Sequence, residues 1–244
     1  MSEIIASTVD ITRIDDHVHR AYRMATARGG AIATAATGRL GRAVTDIDAA
    51  VAIHRAAVEA ESAAWAAVLS EDQKSDVRIG GVRDEMWTAL GRPSRNPYLA
   101  HVFPGGITTY TEGDPRRQPV LMSLLESRIM SSAAPQWSEE QKAAWAAEIA
   151  DVRKSYEEAL DKHRPTEAAA FIAKATYRSA VKMGHEGLRA FKRDLQNLGL
   201  SKAQIFEIIP DGAPTTATAP KPAGATGGST PSGSTGADTN PKAA

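Results

Sequence analysis

Apolar residues recur every three or four positions along most of this chain, and that spacing predicts amphipathic helices. The clearest begins at Ser138, where Ser138 and Gln141 have the spacing of a capping box. Trp145, Ile149, Val152, Tyr156 and Leu160 then follow at steps of four, three, four and four. Acidic Glu139, Glu140 and Glu148 lie in the first half, and Lys162, His163 and Arg164 close it, which suits the helix dipole. Pro165 fits a helix first turn and predicts a restart. The next helix runs from Thr166 to Leu198, carrying Phe171, Ile172, Met183, Leu188, Phe191 and Leu195. Gly184 and Gly187 sit inside it, one turn apart, although each weakens a helix by about 1 kcal/mol relative to alanine. That pair predicts a neighbouring helix packed closely against it. Gly199 is a stop, and Ser201 to Gln204 opens a short helix ending at Pro210.

In the first third, Val44, Ile47, Val51, His54, Val58, Glu61, Trp65 and Val68 alternate steps of three and four, a heptad-like face. Asp10 to Ala27 is a helix facing inward with Ile11, Ile14, Val18 and Tyr22. Between these two, Gly29, Gly30, Gly38 and Gly41 mark either a loop or one softened helix. Arg83–Leu90 and Leu121–Met130 read as short helices. The sum is an all-α, up-and-down bundle of about four long helices over residues 1–210. It carries an irregular, Pro/Gly-rich central insertion at about 71–137.

Composition sharpens the insertion. The chain has 45 alanines in 244 residues, yet none lies between His101 and Ser132, and five of the 13 prolines fall within 91–119. A helix cannot run through prolines so spaced. Two readings follow. In one, Tyr98, His101 and Tyr110 surround a small pocket, Arg92, Arg95, Arg116 and Arg117 hold an anion, and Glu112 or Asp114 is a base. In the other, which we favour, Tyr98, Leu99, Val102, Phe103 and Ile107 form a structured cap on one end of the bundle.

Residues 211–244 contain no Val, Ile, Leu, Met or aromatic side chain and only two charges of each sign, which predicts a disordered, neutral tail. Lys+Arg and Asp+Glu balance at 29 each, which argues against a nucleic-acid-binding surface. With no cysteine there is no disulfide, thiolate zinc site or cysteine nucleophile. No membrane-spanning run and no leader pattern occur, so a cytoplasmic protein is expected.

The remaining motifs fail individually. His54, Glu61 and His163 lie on or near helix core faces, but the Glu-x-x-His pattern of di-iron bundles is absent. In Asp15-Asp16-His17-Val18-His19, His19 shares a face with Asp15 and Asp16 while His17 does not, which is short of a closed metal site. His185-Glu186 is not followed by the second histidine of a zinc protease, since Arg189 stands there. No catalytic residue, metal or cofactor is therefore assigned. The expectation is a non-enzymatic interaction or scaffold protein that uses helix faces for a protein partner or a second copy. The alternative is an anion- or small-molecule-binding bundle with its site at 91–119.

Overall fold

The computed structural model describes residues 10–210. The first nine residues and the tail read at 211–244 lie outside this range. Helix is the only regular secondary structure among the described residues, with no strand. In order they are α1 (Ile11–Arg28), α2 (Gly30–Ala36), α3 (Arg42–Ala89), α4 (Pro97–Val102), α5 (Thr108–Thr111), α6 (Gln118–Ser131), α7 (Glu139–Asn197) and α8 (Lys202–Ile208). A π-helical turn, Thr37–Gly41, joins α2 to α3, and a 3₁₀ turn, Pro115–Arg117, precedes α6.

Two helices, rather than four, carry the length. α3 has 48 residues and α7 has 59, about 72 and 88 Å at 1.5 Å per residue. They run antiparallel, since His54 stacks on Tyr177, Glu61 meets His163 and Asp72 meets Tyr156. The capping box expected at Ser138 is formed. Its hydroxyl accepts from the Gln141 amide at 3.2 Å, and its own amide donates to the Gln141 side chain at 2.9 Å. Pro165 does not restart the helix: α7 continues through it. Asp161 and Pro165 are both exposed, so water reaches the carbonyl that the missing amide leaves unpaired. The Thr166 hydroxyl also donates to the His163 carbonyl at 2.7 Å.

The glycines of the first third act differently from one another. Gly29 and Gly30 have φ of 72° and 58° and separate α1 from α2. Gly38 and Gly41 break nothing and lie in the π-helical turn. α3 then absorbs the separate helix expected at 83–90, so the irregular part begins only after Ala89.

The core lies at the two ends of the α3–α7 pair. At one end, Ile79, Val82 and Met86 of α3 and Trp145, Ile149 and Tyr156 of α7 enclose Val102, Phe103, Tyr110, Met122, Leu125 and Ile129. At the other, α1, α2, the π-helical turn and α8 cover the end of α7 through Ala21, Ala25, Ala36, Leu40 and Ile208, packed on Leu188 and Phe191. A smaller cluster beside it joins Ile14 and Val18 of α1 to Ile47 of α3 and Val181 of α7.

Candidate functional site

The central segment is built as a cap. Asn96 accepts from the Tyr98 and Leu99 amides at 2.8 and 3.2 Å, and Pro97 fills the first position of α4. Tyr110 is fully buried. Its hydroxyl donates to the Val102 carbonyl at 2.8 Å and accepts from Arg128 at 2.9 Å, and its ring meets Phe103 edge to face. Gln118 donates to the Tyr110 carbonyl. Burial raises the Tyr110 pKa, opposed by Arg128, so the phenol stays a donor.

The other residues read as a pocket lead to different places. Tyr98 is half-buried against the core, and His101, Arg95, Glu112 and Arg117 are exposed. The Arg92 guanidinium lies 5.7 Å over the Trp87 ring. Asp114 caps the 3₁₀ turn through the Arg116 amide at 3.0 Å. The Arg116 side chain lies 5.0 Å over Trp65 and 3.0 Å from Glu167, tying this segment to the middle of α3 and α7.

The histidines are also dispersed. His163 is buried against Trp65 and lies 3.4 Å from Glu61, but His54 sits beside Tyr177. Asp15 and His19 do share a face. They fasten α1, with His19 bridging Asp15 at 2.7 Å and Asp48 of α3 at 3.0 Å while Tyr177 donates to Asp15 at 2.9 Å. Desolvation pushes the His19 pKa down, but the Asp15 backbone carbonyl together with the Asp15 and Asp48 carboxylates outweighs it and leaves the pKa raised. Among the described residues no group of three or more such side chains is arranged to hold a metal.

Asp72 and Asp76 sit one turn apart on α3. Tyr156 donates to Asp72 at 2.9 Å, while a buried oxygen of Asp76 has no hydrogen-bond partner. Burial, then the Asp72 charge, lifts the Asp76 pKa to about 6. Unfolding releases this proton, so Asp76 favours the fold at low pH and that contribution is lost as pH rises through about 6. Asp76→Asn is therefore expected to stabilise the protein at pH 7 by about 1 kcal/mol after allowance for solvent screening, and to do little near pH 4. Thermal melts at the two pH values check this; equal gains at both would refute the assignment.

What remains uncommitted is a surface. From 51 to 67 α3 has no buried residue, and from 161 to 172 α7 has only His163. This stretch is two helices thick. Val51 and Val58, read from the sequence as core, are 39% and 42% exposed because no third helix covers them. Ile53, Phe171 and Ile172 are still more exposed, at 59%, 75% and 63%. Toward α2 the same pair of helices encloses an open groove of about 530 Å³, floored by Ala49, Ala50 and Ala180 and bordered by Ile53, Thr176 and Met183. Sequence reasoning counted Phe171, Ile172 and Met183 with the apolar residues of the second half of α7 and did not single out Ile53; all four are exposed, because alanine on every side of a helix leaves its inner face undefined. Among the described residues no helix is long and apolar enough to cross a membrane. Comparison with protein-family models, curated proteins and solved structures finds no match to this chain.

Proposed function

We propose that this chain is a non-enzymatic helical interaction or scaffold protein, cytoplasmic, that self-associates through a face of its α3–α7 pair. The observation that carries the reading is the exposed apolar side chains of Ile53, Ile172 and Met183 along one side of the α3–α7 pair. Contiguous exposed apolar surface of this kind marks protein contact sites. Dispersal of the polar residues of 91–119 among packing, capping and ion-pair roles supports the same reading over a ligand pocket. Balanced formal charge adds to it, since copies of a neutral chain do not repel at long range.

The test is sedimentation equilibrium of the full chain from about 1 to 100 µM, where self-association makes mass depend on concentration. A weight-average mass rising to a multiple of 25.9 kDa is expected. A mass that stays at one chain throughout would remove self-association.

A further inference from the structure

The exposed side chains along the groove have an arrangement that selects one partner. On α3 the groove side carries Arg42, Asp46, Ala49 and Ile53, at steps of four, three and four, continuing to Ala56 and Ala60. On α7 it carries Ile172, Thr176, Ser179 and Met183 at the same steps. These residues occupy the side that α1 leaves uncovered: α1 lies instead over Ile47, Asp48, Tyr177 and Val181. The stacking of His54 on Tyr177 and the approach of Gly184 to Ile47 fix which residues share a level along the pair. At the level of Ile53 on α3, α7 offers the small Thr176 and Ser179. At the level of Met183 on α7, α3 offers Ala49. Counting onward antiparallel, Ile172 on α7 stands level with Ala56 and Ala60 on α3. At each level one helix presents a large apolar side chain and its neighbour a small one.

A two-fold axis parallel to the helices keeps each level and exchanges the helices, so that α3 of one copy faces α7 of the other. Every large side chain then meets a small one, which is the self-complementarity that an isologous contact requires. We propose that a second copy of this chain docks face to face on this groove about such an axis, seating Ile53, Ile172 and Met183 of each copy over Ala49, Ala56, Ala60, Thr176 and Ser179 of the other. The proposal rests on the self-association reading and specifies its face and geometry.

Size agrees with it. From Arg42 to Ala64 the face is roughly 33 Å long, and two packed helices are about 18 Å wide, or roughly 600 Å² per copy. The total of about 1,200 Å² reaches the lower end of specific protein interfaces.

Because the chain has no cysteine, the geometry can be read by disulfide trapping. Ala49→Cys and Ser179→Cys, carried on separate chains, are mixed and oxidised, and covalent dimer is followed on a non-reducing gel. The mixture is expected to crosslink at least about tenfold faster than either chain alone, since only the mixed pair is held adjacent. In parallel, Ile172→Glu is expected to weaken self-association on the order of a hundredfold, because two copies of the charge enter one interface. Phe171→Glu, one residue around the helix, leaves it unchanged. Both side chains are more than half exposed, so circular dichroism stays that of the parent. Crosslinking of Ala49→Cys alone as fast as the mixture, or dissociation by Phe171→Glu and not by Ile172→Glu, overturns the proposed face while self-association stands. A parent chain that is monomeric throughout overturns both.

Discussion

Tyr110→Ala is expected to destabilise the fold by about 4 kcal/mol, the largest effect of any single truncation in the central segment. Three losses combine. The ring is fully buried and sits edge-on to Phe103, so its removal leaves a cavity among Phe103, Val102 and Met122. The Val102 carbonyl, on a fully buried residue, loses the donor that satisfies it. Arg128 loses the phenol oxygen that accepts from it. Tyr110→Phe keeps the ring and isolates the polar share, expected at about 1–2 kcal/mol. Urea unfolding of the two variants separates the terms, and the slope should stay constant if only native stability changes. A loss below about 1 kcal/mol for the alanine variant would mean that the ring does not hold the cap in place. The same measurement bears on function, since a tyrosine kept for a ligand contributes little to stability.

The cap was legible in the sequence through its expense in large apolar residues. A flexible connection would resemble the 211–244 stretch, whereas the central segment carries Tyr98, Leu99, Val102, Phe103, Ile107 and Tyr110. Helix starts were legible for a related reason: Ser138 with Gln141 and Ser201 with Gln204 satisfy their orphan amides locally, with no help from distant contacts. Helix continuity was not. The insertion was expected from about 71, but Ser75, Ile79, Val82 and Met86 resume the buried face at three- and four-residue steps, and α3 carries on. Pro165 reads as a boundary because local sequence does not say which side of a helix faces water. The same gap explains Val51 and Val58. Their spacing marks a helix face correctly, but whether a third helix lies over that face is decided elsewhere in the chain.

Gly187→Val tests the tightest surroundings of any described glycine and is expected to cost about 3 kcal/mol. A Cβ at Gly187 would stand 2.8 Å from the Arg39 carbonyl oxygen, inside any ordinary contact. That oxygen is backbone, and the π-helical turn that bears it is held to the same side of α7, two turns further on, by Arg39, whose Nε donates to Asp194 at 2.6 Å. Relief therefore requires separating the turn from α7, which loosens the packing of Leu40, Leu188 and Phe191 beneath it. Gly184 is a milder case. Its Cβ would meet the tip of Ile47 at 2.9 Å, and a side-chain tip can rotate away, so Gly184→Ala should come out near neutral once the helix-propensity gain of about 1 kcal/mol is included. Around Gly81 in α3 the space within 4 Å of a Cβ would be open, and Gly81→Ala should simply gain that propensity, about 1 kcal/mol. The three variants thus form a graded series in which the surroundings of the added carbon set the order. Thermal or urea unfolding should rank them Gly81→Ala above the parent, Gly184→Ala beside it and Gly187→Val well below. If Gly187→Val matched the parent, the turn would be free to move away from α7, and the groove that ends against it would lose its fixed end wall.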